Sequence, residues 1–95
     1  MGKIRRLVLD TLKPYEPSII DIASQLSELP GISAVNISIY EIDRRVENAK
    51  ITIEGEDISY PLVEALIGEM GGAIHSIDEV VAGTKIIEDA ATLQD

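Results

Sequence analysis

The chain has no cysteine, no phenylalanine and no tryptophan among its 95 residues. Without cysteine there is no disulfide framework, no thiolate metal site and no nucleophilic thiol, a usage that suits a reducing compartment and makes the cytoplasm the expected location. Aromatic residues are 3% of the chain while hydrophobic residues are 45%. The core must therefore be packed from Ile, Val, Leu and Ala, without large ring anchors. Positive charge is scarce too: 8 Lys and Arg stand against 17 Asp and Glu, for a net charge of −9. Nucleic-acid affinity comes mainly from basic side chains that neutralise phosphates, so this balance argues against polyanions and for cations or basic partners. Long apolar runs are also missing. Met1 to Arg6 is followed only by Leu7-Val8-Leu9 before Asp10 interrupts, so neither a signal peptide nor a membrane span of ~20 apolar residues is expected.

What is present is a pattern written twice. Alternating apolar residues over Ile4 to Leu12 lead through a helical stretch, Ser18 to Glu28, into a second alternating run, Ile32 to Ile42. The sequence then repeats strand, helix and strand over Val46 to Glu54, Ser59 to Met70 and Ala73 to Ala82. In the first strand Leu7 and Leu9 face a core while Arg6, Val8, Asp10 and Leu12 face away. Lys13-Pro14-Tyr15-Glu16-Pro17-Ser18 reads as a connection, with Pro17 suited to the first turn of a helix. Ile19, Ile22, Ala23, Leu26 and Leu29 form one helical stripe, stopped by Pro30-Gly31. Val35, Ile37 and Ile39 pair with Ala49, Ile51 and Ile53 as the inward faces of a hairpin turning at Asp43-Arg44-Arg45, with Asn36, Ser38, Tyr40, Lys50 and Thr52 outward. The second helix has Asp57 or Ser59 as its cap, Pro61 near its start and Gly71-Gly72 as its stop. The last strand sets Ile74, Ser76, Asp78 and Val80 against Ala73, His75, Ile77, Glu79 and Val81.

Right-handed crossovers leave few arrangements for a βαββαβ order. The expected fold is a ferredoxin-like α+β sandwich: one domain over residues 1–95, an antiparallel sheet in the spatial order four, one, three, two, and two helices on one face. At this length roughly 65% of the unfolded chain's surface can be buried. The other sheet face is left bare. Val80 to Ile87 is more apolar than a completed fourth strand requires, and Glu88 to Asp95 reads as a polar tail, flexible from about residue 89.

Asp10 and Asp78 stand out, because both belong to the bare face on strands that are neighbours in this topology. A carboxylate pair there can bind a hard cation such as Ca²⁺ or Mg²⁺, with Ser76 adding a neutral oxygen. The alternative is that both carboxylates are solvated or paired with Arg6 or Lys50. His75 and Glu79, four apart on one strand, share a face two pleats apart and cannot touch as a helical pair would. They are a rim histidine and carboxylate or, with Asp10 and Asp78, the acid-base or metal groups of an enzyme. No nucleophile-base-orienter set supports that enzyme. Gly71-Gly72 follows a helix and enters a strand, the reverse of a phosphate cradle. Tyr40 is the only aromatic on the bare face, too few for an RNA-stacking sheet. Metal carriers of this topology need paired cysteines. Amino-acid-sensing modules place a glycine where this chain has Lys13-Pro14-Tyr15-Glu16-Pro17, so a small ligand is left to subunit contacts.

The run His75-Ser76-Ile77-Asp78-Glu79-Val80-Val81-Ala82-Gly83, with Val8-Leu9-Asp10, Lys13-Pro14, Leu29-Pro30-Gly31, Tyr40-Glu41-Ile42-Asp43 and Thr52-Ile53-Glu54-Gly55, resembles an archaeal family catalogued as domain of unknown function 211. The resemblance covers about residues 3 to 88. It implies a ferredoxin-like fold and assembly into a closed homo-hexameric or homo-heptameric ring, and it implies no activity. Independently, strands two and four are edges with unpaired backbone groups. The expectation is a non-enzymatic ring module in which Val80 to Ile87 lies against strand two of a neighbour.

Overall fold

In the computed structural model, which describes residues 2–87, the elements are β1 (Ile4–Pro14), α1 (Ile19–Ser27), β2 (Ile32–Ile42), β3 (Val46–Gly55), α2 (Tyr60–Glu69) and β4 (Ala73–Ala82). They form one sheet in the order β2-β3-β1-β4, every neighbouring pair antiparallel. This is the ferredoxin-like sandwich that the sequence predicts. The tail beyond Ile87 lies outside the described residues.

The helices form where the sequence supplies both a cap and an apolar stripe. Ser18 accepts the N–H of Asp21 to start α1, and Ser59 accepts that of Leu62 to start α2. Pro17 therefore precedes the cap of α1 and is not in its first turn as expected, because the Ser18 side chain takes the capping position. Ile22 and Leu26 of α1 and Val63 and Ile67 of α2 bury against Leu7, Leu9, Ile51 and Ile53 of the central strands. Ile58, just before α2, joins this core, tied down by its N–H to the Ile4 carbonyl. Each fully buried aliphatic side chain stabilises the fold by about 1.5–3 kcal/mol before ordering costs are subtracted. Gly31 makes the turn from α1 into β2 at φ 82°. A Cβ on Gly55 would lie 2.0 Å from the Gly31 carbonyl oxygen, so only glycine at the end of β3 lets that turn approach.

The first strand runs on where the sequence suggests a connection. Lys13 continues the inward row of Leu7, Leu9 and Thr11 and is 2% exposed. Its ammonium reaches Glu47 on β3 at 2.5 Å and the Pro14 carbonyl at 2.7 Å, and these two partners permit its burial. Thr11 is equally buried, and its hydroxyl has no hydrogen-bond partner among the described residues. Both border a cavity of only about 10 Å³ beneath the helices.

The strict alternation expected of β4 does not hold. Its pairing with β1 shifts between Val8 and Leu9 and again between Asp10 and Thr11, which leaves Asp78 and His75 as extra residues. Such bulges bend and twist a strand. Ile74, Ile77 and Val80 thereby pair with Thr11, Leu9 and Leu7 on the helix side, whereas Ala73, Ser76, Glu79 and Val81 pair with Leu12, Asp10, Val8 and Arg6 on the bare face. Asp78 interrupts the alternation between His75 and Glu79, and His75 is itself an extra residue, so the alternation that gave them one face is lost. A further shift leaves Arg5 as an extra residue of β1, and two more leave Ser33 and Tyr40 as extra residues of β2.

Candidate functional site

The bare face carries a line of polar groups across all four strands. Its upper part is an ion bridge. Arg6, in the middle of the face on β1, donates from Nε to Glu54 of β3 at 2.8 Å and from Nη1 to Glu79 of β4 at 3.1 Å. Its side chain is 11% exposed, so a planar guanidinium clamps three strands under partial cover. Glu79, an acid-base candidate in the sequence, is a partner in this clamp.

Asp10 lies four residues further along β1 on the same face, opposite Lys50 on β3 and Ser76 on β4. The hydroxyl of Tyr40 crosses from β2 and donates to Asp10. That bond raises Tyr40 above its ordinary value of 10.0, with the bond to Asn48 opposing and the charges of Asp10 and Glu41 adding to the rise. On β4, Ser76 donates to Asp78 at 2.7 Å. The sheet therefore gathers Tyr40, Asp10, Ser76 and Asp78 into one row, with Asp78 brought to Ser76 by the bulge. His75 is exposed on the same edge strand. Among the described residues no group of three His, Asp or Glu side chains is placed to hold a metal ion.

Next to this row an open groove of about 520 Å³ runs between β2 and β3, lined by Ala34, Val35, Asn36, Ser38, Lys50, Thr52 and Glu54. Its hydroxyl and amide lining can hydrogen-bond, but Glu54 is already engaged by Arg6. The sequence marks Asp10, Asp78 and Ser76 from their strand positions. It does not mark Tyr40 as a ligand of Asp10, or Arg6 with Glu54 and Glu79 as a clamp. The apolar alternation gives the strand order that brings Arg6 between the two glutamates, whereas the bulge at Tyr40 has no signature in residue type.

These features define a class: a small ferredoxin-like sandwich with one helix-covered face and one bare polar face. The chain belongs to the family of domain of unknown function 211, described as uncharacterized ArCR, whose model matches residues 5–95. An uncharacterized protein of Methanocaldococcus jannaschii is 55% identical over 95 residues, which is 100% of this chain and 98% of that protein. No helix among the described residues is long and apolar enough to cross a membrane.

Proposed function

We propose that the protein is a self-assembling module whose copies close head to tail into a ring, and that its work is done by the assembled surface and not by covalent chemistry. The observation that carries this reading is that the sandwich exposes large apolar side chains at both lateral edges. On β4 these are Ile77 and Val80, 48% and 52% exposed, and at the end of β2 it is Ile42, 64% exposed. Two unlike patches on opposite edges favour a heterologous contact, which repeats until the rotation closes. The bulges in β4 work against open-ended strand pairing on that edge. Ile87, 62% exposed, extends the apolar supply beyond the fourth strand. The family resemblance points to six or seven copies. Removing residues 83–95 tests the contribution of the last segment: the expected outcome is loss of the oligomer by light scattering at micromolar concentration, and an intact oligomer would count against it.

A second reading concerns cations. Asp10 faces Ser76 across the strands, and Ser76 is bonded to Asp78, so two carboxylates and a hydroxyl share one row. A Ca²⁺ or Mg²⁺ ion at this row takes its remaining oxygen ligands from water or a neighbouring subunit. It offsets the repulsion of closing a ring from chains of net charge −9. The test is a melting series with EDTA, Ca²⁺ and Mg²⁺ at matched ionic strength on wild type and Asp78→Asn. A divalent-dependent rise in wild type that the variant lacks supports the site. Indifference of the wild type, or an equal rise in both, refutes it.

A further inference from the structure

We infer that the groove between β2 and β3 on the bare face binds an extended zwitterion with the chemistry of a short peptide with free ends. The binding surface is the open face of the sheet, and it does not draw on the lateral edges invoked for assembly.

The register of the hairpin lays the groove out as a short ladder. Lys50, Thr52 and Glu54 follow one another on the outward side of β3, and Ser38, Asn36 and Ala34 stand opposite them on β2. The three residues of β2 are short and exposed, so the trough stays open along its length. Its volume of about 520 Å³ suits a small molecule. Ser38 donates to Asn36 Oδ1 at 3.4 Å, which leaves the amide N–H groups of Asn36 and the hydroxyl of Thr52 to bond a ligand in the middle of the groove.

The two ends of the groove carry opposite charge. Lys50 is exposed at one end, and no carboxylate among the described residues forms an ion pair with it. At the other end the side chain of Glu54 is 38% exposed, and Arg6 bonds to its Oε2, so Oε1 remains an acceptor. Each of these charges has a counterpart on β1, outside the groove: Asp10 stands beside Lys50 and accepts the Tyr40 hydroxyl, and Arg6 stands beside Glu54. The groove therefore favours neither net sign. A simple anion or a simple cation gains at one end what it loses at the other, whereas a dipolar molecule aligned against the groove gains at both. At 3.2–3.4 Å per residue, Lys50 and Glu54 are about 13 Å apart along the strand. About four extended residues span that distance. Such a peptide sets its carboxylate at Lys50 and its amine at Glu54, with its peptide groups over Asn36, Ser38 and Thr52.

Ligand-observed NMR at low ionic strength, with tetraglycine as the probe, tests this on the full-length wild type and Lys50→Met. N-acetylated tetraglycine and tetraglycine amide serve as controls, and circular dichroism checks that the variant is folded. Wild type should bind the free peptide with a Kd of about 10 mM or tighter. Blocking either end should weaken binding about three- to fivefold, the yield of one exposed ion pair. Lys50→Met should weaken the free and the acetylated peptide by the same factor and leave the amide unchanged, because that form has no carboxylate for Lys50 to hold. Absence of binding, equal binding of free and blocked peptides, or a Lys50→Met variant that binds all three as wild type does overturns the inference. None of these results depends on the mass of the assembly, so the ring reading stands or falls separately.

Discussion

Replacing Glu47 by Gln should destabilise the protein far more than an exchange on the surface would. Lys13 is 2% exposed and the side chain of Glu47 is 17% exposed, with 2.5 Å between the charged atoms. An amide at position 47 keeps the shape and an acceptor oxygen but removes the counter-charge, leaving a buried ammonium with only neutral acceptors, a loss of about 2–4 kcal/mol. Lys13→Met costs less, about 1–2 kcal/mol, because Glu47 lies nearer the surface and can regain water. The double variant Lys13→Met/Glu47→Leu replaces the pair by apolar packing and should return to within about 1 kcal/mol of wild type. The two sites therefore couple strongly, and a double-mutant cycle from urea denaturation measures this. All four proteins must be compared at one concentration, since assembly makes the midpoint concentration-dependent. In thermal terms Glu47→Gln lowers the melting temperature by roughly 4–8 °C per kcal/mol at this chain length. A Glu47→Gln variant within about 0.5 kcal/mol of wild type, or a double variant that loses the sum of the two single losses, would refute the buried ion pair.

Tyr40 should titrate above 10.0, because its hydroxyl donates to Asp10. A phenol raised in the folded state gives stability that is complete below pH 10 and lost as pH rises through the folded value. Asp10→Ala should move the Tyr40 transition back down in a near-ultraviolet titration, while Tyr60, raised by burial and the charge of Glu64, stays where it is. An unchanged Tyr40 transition means that the bond does not form in solution. Thr11→Val should raise stability by about 1 kcal/mol, since the buried hydroxyl has no partner among the described residues to compensate its desolvation. A loss of the same size in urea denaturation would show that the hydroxyl is satisfied. Gly55→Ala should cost more than about 3 kcal/mol, because the added carbon meets the Gly31 carbonyl oxygen at 2.0 Å. A midpoint shift equivalent to less than about 1 kcal/mol would mean that the turn can retreat.

The order of elements is legible because most apolar residues outside β4 answer to one period or the other. Val35, Ile37 and Ile39 against Ala49, Ile51 and Ile53 define a hairpin by alternation, and Ile22 with Leu26 defines a helix by spacing. Lys13 reads as connection for a physical reason: a charged residue beside proline is a turn signal until its partner is known. That partner, Glu47, lies across the sheet, and only the pairing of β1 with β3 brings it near. The two bulges of β4 were illegible for a related reason. Nothing in His75-Ser76-Ile77-Asp78 marks an insertion, because a bulge is a property of register between two strands. The bulge that leaves Asp78 as an extra residue also brings it to Ser76. Tyr40 was seen as an outward aromatic, but its reach over β3 to Asp10 depends on the bulge at its own position.

Sedimentation equilibrium of the intact chain at micromolar concentration addresses the central claim most directly. The account predicts a single closed species at six or seven times the chain mass of 10.3 kDa, with no further growth as concentration rises. A mass of 10.3 kDa throughout the range, or a series that lengthens without limit, would contradict it.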